Sequence, residues 1–189
     1  MEGRVGKVER GASMRRVGWC MALGTLALAV YGCYRPPEKP VSMAPPRIRA
    51  SGPALWDYLK EADYENAWKM WPGKSAFYKG RAPHGAFLTT YVNGIAYHAI
   101  ESKTGAIPFG AIVVKENYTP DKKLAATTVM YKVEGYDPEA GNWFWAKYAP
   151  NGKVSAAGKV KMCINCHGMK KDNDYIMTAP LKQGQGEKP

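Results

Sequence analysis

Cys163, Cys166 and His167 form the most informative pattern in this chain of 189 residues, a C-x-x-C-H motif. Two cysteines three positions apart lie on one helical turn, where each thiol can form a thioether with a vinyl group of haem. The histidine that follows is then directed at the iron as its proximal ligand. The motif therefore predicts one covalently attached haem c, held by Cys163 and Cys166 and ligated through His167.

Three other uses of the motif explain less of it. A thioredoxin-like redox pair requires a βαβ context, and none precedes these residues. A structural zinc ion needs four ligands, so Cys163, Cys166 and His167 would require a fourth from a distant part of the chain. A disulfide between the two cysteines would leave His167 without a role. Covalent haem gives all three side chains a role without requiring a further ligand of this kind.

The sixth ligand, on the opposite side of the iron, has several candidates. His84 lies in a turn before an extended segment, so it could reach the distal face of the haem or cap a loop. His98 is expected on the surface of a helix. Met162 and Met169 are too close to the motif to cross to the opposite face, whereas Met177 has more freedom. A methionine ligand would give an electron carrier with a raised potential, and the alternative is that methionines only pack around the haem.

Lys115 is a less obvious candidate for chemistry, because it follows the apolar run Ala111–Val114. On a strand Lys115 shares a face with Val113, and Glu116 shares the other face with Val114. One interpretation is that the strand ends in solvent there, or that the lysine protects a sheet edge from pairing. The other is that the amine points inward and becomes nucleophilic through desolvation.

Residues 1–33 are predicted to be an export signal. An uncharged run of 18 residues, Val17–Tyr34, follows Arg15-Arg16, as in signal peptides, and its length is at the lower limit for crossing a bilayer. The run ends in Gly32-Cys33, which resembles the processing site of a bacterial lipoprotein, where the cysteine is lipidated. Ordinary cleavage after Ala29 is the alternative, and translation from Met14 is an alternative to Met1.

The rest of the chain divides into a linker at 34–53, a single domain at 54–181 and a polar tail at 182–189. The linker holds six prolines, which favour an extended and semi-rigid segment. The net charge is +11, without runs of like charge longer than two outside the signal. Because an exported protein rarely meets nucleic acid, the basic surface indicates an anionic membrane or an acidic redox partner. We expect the protein in the bacterial periplasm or outer cell envelope.

The patterns along the domain predict an α+β fold, mainly an antiparallel β-sheet with a few flanking helices and haem c near the C-terminus. Apolar residues at near-helical spacing indicate one or two helices within 54–70, and a second short helix is expected at 95–102. Strands are predicted at 87–92, 111–116, 127–133 and 143–148, with turn residues between them. Strands that follow one another through short turns favour antiparallel pairing.

Over about 80–180 the chain resembles the cytochrome P-460 family of c-type monohaem proteins, which is related to cytochrome c′-beta. The stretches that carry this resemblance are, in order, Gly80-Arg81-Ala82-Pro83 before Tyr91-Val92, then Val113-Val114-Lys115-Glu116, Gly141-Asn142-Trp143, the C-x-x-C-H motif, and Asp174-Tyr175-Ile176-Met177-Thr178. Apart from the haem motif each stretch is a weak signal, but their order and spacing together are specific.

The resemblance implies a mainly antiparallel sheet, a homodimer and haem c near the C-terminus. Family members that oxidise hydroxylamine carry a bond from a lysine amine to the porphyrin ring, and that lysine matches Lys115. The c′-beta members lack this bond and bind nitric oxide or carbon monoxide behind an apolar distal wall. An arginine of the hydroxylamine-oxidising members falls on Leu88 here, which weakens the expectation of that reaction. Glu116 and Glu134 remain as candidate bases.

Three functions follow from the sequence. The first is oxidation of a small nitrogen compound, of the hydroxylamine or nitric oxide type, with transfer of electrons to a partner cytochrome. The second is binding of nitric oxide or another gas without catalysis, for which Lys115 must be unlinked. The third is simple electron transfer by a six-coordinate haem, with His84 or Met177 as the sixth ligand.

Overall fold

The structure, a computed structural model, describes residues 43–182. The predicted export signal with Cys33, residues 34–42 of the predicted linker and all but the first residue of the predicted tail lie outside this range. None of the helices within 43–182 is long and apolar enough to cross a membrane.

The described residues form a mainly antiparallel sheet with a few helices, which confirms the predicted α+β class. In chain order the elements are α1 (Gly52–Glu61), α2 (Tyr64–Ala67), β1 (Lys69–Met70), β2 (Tyr78–Lys79), β3 (Phe87–Val92), α3 (Gly94–Glu101), β4 (Ile112–Tyr118), β5 (Leu124–Lys132), β6 (Trp143–Tyr148), β7 (Val154–Gly158) and α4 (Lys161–His167). Short 3₁₀ helices occupy Pro138–Ala140 and Gly168–Asn173.

The four longest strands and α3 lie where the sequence predicts them, within a few residues. Three strands were not predicted. β1 and β2 have only two residues each, too few to show a periodic pattern. β7 (VSAAG) consists mostly of small residues, so it lacks the apolar alternation by which strands are recognised.

Helix α1 begins inside the segment predicted as linker. Ser51 caps it, because its side-chain oxygen accepts a hydrogen bond of 3.4 Å from the backbone N–H of Ala54. Pro53 lies in the first helical turn, where a missing N–H costs nothing. The proline that suggested a linker is therefore part of a helix start.

All strand pairs of the sheet are antiparallel, in the order β1-β3-β4-β5-β6-β7, with β2 also paired to β3. Strand β4 lies between β3 and β5, so its backbone groups are bonded on both sides. The residues opposite Lys115 are Thr90 on β3 and Thr128 on β5. Lys115 is consequently on an inner strand, which excludes a role in protecting a sheet edge.

One face of the sheet is covered by α1 and α2 through a dry core. Leu55 and Leu59 of α1 are fully buried against Ile112, Val114 and other apolar residues of β4–β6. The Tyr148 hydroxyl also donates a hydrogen bond of 2.8 Å to the carbonyl of Gly52 at the start of α1. This face of the sheet therefore packs against helices α1 and α2.

The other face carries α3, a second core and the helix with the C-x-x-C-H motif. Val92, Val113, Met130, Trp143 and Trp145 pack here against α3 and the segment after α4. Cys163 and Ile164 of α4 pack against the edge of this core. Because side chains alternate along each strand, Lys115 and Asn117 share this second face with Val113.

Glu116 points into the first core, away from the motif. Its carboxylate accepts hydrogen bonds from the hydroxyls of Tyr64 at 3.0 Å and Tyr118 at 2.6 Å. Burial raises the pKa of Glu116, and these two hydrogen bonds oppose the rise. Glu134 is exposed. Neither candidate base lies in the cavity described below.

The substitution Glu116→Gln should stabilise the protein at neutral pH. The pKa of Glu116 is higher in the folded than in the unfolded state, where it is about 4.3. Below about pH 4.3 the carboxyl is protonated in both states and does not destabilise the fold. As pH rises through the folded-state pKa, the buried carboxyl must ionise and the protein loses stability. In urea unfolding, the variant's advantage over the parent should be small near pH 4 and grow toward pH 7. The exposed Glu134→Gln is the control, and equal pH profiles for Glu116→Gln and the parent would contradict this assignment.

Candidate functional site

Helix α4 presents the three motif residues to one cavity. His167 is buried, and Cys163 and Cys166 are half-buried and not joined in a disulfide. Burial raises the pKa of the Cys163 thiol. All three side chains line a cavity of about 280 Å³, close to the lower end of the range for small-molecule pockets. The structure therefore brings the predicted anchor and ligand residues together.

The ring of His167 is held in one orientation. Its Nδ1 is 2.8 Å from the carbonyl oxygen of Tyr175, which can only accept, so Nδ1 carries the proton. The ring also lies against Trp145, with centroids 4.7 Å apart. Burial lowers the pKa of His167. Its Nε2 is left with a free lone pair, the state in which a histidine binds a metal ion.

The carbonyl that orients His167 is itself fixed by a cluster around Asp174. The Asp174 carboxylate forms an ion pair with Lys132 and accepts hydrogen bonds from the backbone N–H of Ile107 at 2.7 Å and the indole N–H of Trp143. The indole also donates to the Asp174 carbonyl at 3.1 Å. Sequence analysis did not identify this cluster, because its members are far apart along the chain.

Gly141 is required beside this cluster. A Cβ at Gly141 would lie 2.6 Å from the ring of Tyr175, and the residue has a φ of +68°, which favours glycine. Two stretches on which the family resemblance was based, Gly141–Trp143 and Asp174–Thr178, thus contact each other and support the segment that orients His167.

His84 lies across the cavity from the motif. Its Nδ1 is 2.8 Å from Oδ1 of Asn117, and its ring centroid is 6.3 Å from that of His167. Burial is the main cause that lowers the pKa of His84 to about 4, followed by the positive charge of Lys115. His84 therefore lines the same cavity as the motif residues, which a role as distal ligand requires.

The loop that carries His84 packs tightly against β4. A Cβ at Gly85 would lie 2.5 Å from both N and O of Tyr118, and a Cβ at Gly80 would lie 1.9 Å from the carbonyl oxygen of Gly85. The backbone N–H of Gly80 also donates to Ala86 at 2.9 Å. These two glycines allow the loop to approach the strand closely enough for His84 to reach Asn117.

Lys115 faces the same cavity from the centre of the sheet. Within residues 43–182 its amine has neither a hydrogen bond nor an ion pair. Burial lowers its pKa to about 8, and its charge contributes to lowering the pKa of both His84 and His167. Of the two interpretations of Lys115, the inward one agrees with the structure.

The residues present fit a haem. Two half-buried thiols and a histidine with a free Nε2 share one cavity, which is the donor set that haem c requires. The indole N–H of Trp145, which also lines the cavity, is buried without a hydrogen-bond partner in the described residues, as expected beside a group not included in the structure. No cluster of three or more His, Cys, Asp or Glu within 43–182 could hold a metal ion, so the zinc alternative lacks its ligand set there.

The remaining sequence candidates are less well placed. His98 is exposed on α3, as predicted. Met169 is exposed and does not line the cavity, whereas Met162 and Met177 line it while remaining exposed. Leu88 is buried but is not among the cavity-lining residues. The polar side chains of His84, Lys115 and Asn117 are among those that do line the cavity.

Comparison with known families settles which family this site belongs to. The family model of cytochrome P-460 matches residues 62–178. The chain belongs to the cytochrome P-460 family. A search of curated proteins found no match. Membership in the cytochrome P-460 family implies a c-type haem protein, and the predicted cofactor agrees with the cavity beside α4.

The substitution Gly85→Ala should displace the loop that carries His84. The added Cβ meets backbone atoms that cannot move aside, so we expect a loss of about 1–3 kcal/mol in the free energy of unfolding, measured with urea. Gly168→Ala is the matched control, since its Cβ would lie 3.9 Å from the Tyr175 ring and Gly168 has an ordinary φ of −61°. Equal stability of the two variants would show that the close approach is not required.

Proposed function

We propose that this protein is an exported c-type cytochrome with one covalent haem. Cys163 and Cys166 form the thioethers and His167 is the proximal ligand. Three observations support this: the arrangement of the motif on α4, the Nε2 of His167 left free by the Tyr175 carbonyl, and the cavity that all three residues line. Family membership makes haem the expected cofactor.

We further propose that the protein oxidises a small nitrogen compound, of the hydroxylamine or nitric oxide type, and passes the electrons to a partner cytochrome. When bound, the haem supplies the redox chemistry. The observation that carries the enzyme proposal is Lys115, whose amine lies in the cavity without a partner in the described residues. Its lowered pKa of about 8 increases the fraction of unprotonated, nucleophilic amine at neutral pH.

An unprotonated amine in this position suits a bond to a carbon of the porphyrin ring. Forming that N–C bond releases one hydrogen from the nitrogen and one from the carbon. The step is therefore a two-electron oxidation, and a peroxide would take up both electrons and both protons to give water. Such a bond changes the shape and the electronics of the macrocycle, two means by which a protein adjusts haem chemistry.

Electron transfer by a six-coordinate haem is the second candidate function, and the position of His84 favours it. A gas-binding function like that of cytochrome c′-beta is less well supported, since it requires an apolar distal side. Here the polar side chains of His84, Lys115 and Asn117 all line the cavity.

The cellular setting is also a proposal. The uncharged run behind Arg15-Arg16 supports export to the bacterial periplasm or outer envelope, with a lipid anchor at Cys33 as the contact with the membrane. The net charge of +8 that remains without residues 1–32 suits docking to an acidic redox partner. The family resemblance supports a homodimer, and we expect no interaction with nucleic acid.

Mass spectrometry of the denatured protein tests the covalent haem. The parent should retain the mass of one haem, and a variant with Cys163→Ala, Cys166→Ala and Lys115→Ala should lose it on denaturation, because neither a thioether nor the proposed lysine bond remains. A haem adduct that survives in this triple variant, or a parent without haem after expression with a haem-attachment system, would refute the proposal.

The visible spectrum tests the role of Lys115. If its amine is bonded to the ring, the holoprotein should show a strongly red-shifted Soret band and a green colour, and Lys115→Ala should restore an ordinary red c-type spectrum. Lys147→Ala is the matched control, because Lys147 lines the same cavity but is exposed on β6. An ordinary spectrum in the parent, unchanged in Lys115→Ala, would remove the cross-link.

A further inference from the structure

We propose that His84 is the distal axial ligand, so that the resting haem is six-coordinate and a small molecule reaches the iron only when His84 leaves. The inference rests on the proposed haem site and assigns the iron ligand on the side opposite His167. It concerns a residue outside the C-x-x-C-H motif, on a loop about 80 positions earlier in the chain.

The hydrogen bonds of Asn117 determine which nitrogen of His84 is free. The Asn117 amide Nδ2 donates to the carbonyls of Lys115 at 2.8 Å and Ala126 at 3.1 Å, and it lies 3.2 Å from the hydroxyl of Thr128. Its Oδ1 must therefore be the atom that faces His84, where it also accepts from the backbone N–H of Gly85 at 3.3 Å. Because Oδ1 only accepts, the proton of the His84 ring is on Nδ1, and Nε2 carries the free lone pair.

His84 and His167 are consequently prepared in the same way. In each ring Nδ1 donates to an oxygen, Oδ1 of Asn117 in one case and the carbonyl of Tyr175 in the other, both at 2.8 Å. A histidine that binds a metal ion through Nε2 is typically oriented by this kind of bond on Nδ1. A histidine that only capped a loop would not need a hydrogen bond that leaves its Nε2 free, as the bond to His167 does.

The separation of the two rings agrees with one metal ion between them. An imidazole nitrogen lies roughly 1.1 Å from its ring centre and metal–imidazole bonds are about 2.0–2.1 Å, so two imidazoles on opposite sides of an ion have centres about 6.2–6.4 Å apart. The observed separation of the His84 and His167 centroids is 6.3 Å, with the ring planes at 88°. Both rings line the same cavity.

The loop around His84 is built to hold this position. Gly80 and Gly85 allow backbone contacts that no Cβ would permit, and Asn117 ties both His84 and Gly85 to the inner strand β4. A ligand carried by a constrained loop is present before a small molecule arrives. Opening the site then requires breaking the iron–His84 bond, a gate between the cavity and any exogenous ligand.

Lys115 is the competing candidate for the sixth ligand. Its amine faces the cavity and has no partner in the described residues. Unlike His84, it has no hydrogen bond that orients its nitrogen. Spectroscopy separates the two, since a haem with two imidazoles and a haem with an imidazole and an amine differ in the near-infrared magnetic circular dichroism of the ferric state.

The test uses the purified ferric holoprotein, with haem content established beforehand by mass spectrometry. Electron paramagnetic resonance of the parent should show a low-spin ferric haem with a strongly anisotropic signal, as expected for two imidazole planes near 88°. His84→Ala should be high-spin, and added imidazole should restore the low-spin spectrum. His98→Ala is the matched control, because His98 is an exposed histidine on α3 and should leave the signal unchanged.

Binding of cyanide to the ferric iron tests the gate. The association rate should rise about tenfold or more in His84→Ala, because a ligand no longer has to leave first and each 1.4 kcal/mol removed from the barrier gives a factor of ten. His98→Ala should bind cyanide at the parent's rate. If His84→Ala does not fold, the spectra of the parent alone test the inference. A low-spin ferric signal together with near-infrared bands of two imidazole ligands would support His84 as the sixth ligand.

A haem-loaded parent that is high-spin at rest would overturn the inference while leaving the proposed haem function intact. Amine-type near-infrared bands that disappear in Lys115→Ala would assign the sixth position to Lys115 and would also overturn it. A parent without haem would instead refute the proposed function. Failure of the inference and failure of the proposed function are therefore distinguishable.

Discussion

Strand β4 is the element on which both the fold and the site depend. It pairs with β3 and β5 along its whole length, and its side chains alternate between two faces with different purposes. Ile112 and Val114 enter the dry core under α1, whereas Lys115 and Asn117 enter the cavity beside α4. A shift of register by one residue would exchange the two sets, burying the lysine among leucines and turning Glu116 toward the proposed haem.

The surroundings of His167 show that the C-x-x-C-H motif depends on residues outside it for its geometry. The motif supplies the histidine, but the ring is oriented by the carbonyl of Tyr175. That carbonyl lies next to Asp174, whose contacts with Lys132 and Trp143 attach the segment after α4 to strands β5 and β6. The proposed haem site therefore depends on strands formed by earlier residues, because they hold the segment that follows the motif.

The cavity as a whole combines features that reduce the stability of the folded protein. An amine without a partner in the described residues, two histidines with lowered pKa values and an indole N–H without an acceptor surround one cavity. Buried polar groups are normally paired, and exceptions concentrate at functional sites. Asn117 connects these groups, because its amide bonds to the carbonyl of Lys115 while its oxygen fixes the ring of His84.

The sequence by itself determined the class of the fold and singled out the residues proposed to anchor the haem. The C-x-x-C-H spacing acts within one helical turn, and the strands predicted at 87–92, 111–116, 127–133 and 143–148 show their pattern locally, so no distant contact was needed to recognise them. Only the tertiary structure decided which nitrogen of each histidine is free, which face Lys115 takes and that His84 lies opposite His167. Those features depend on contacts between separate segments, such as the hydrogen bond between His84 and Asn117, 33 residues apart, and a pattern read along one chain does not contain that information.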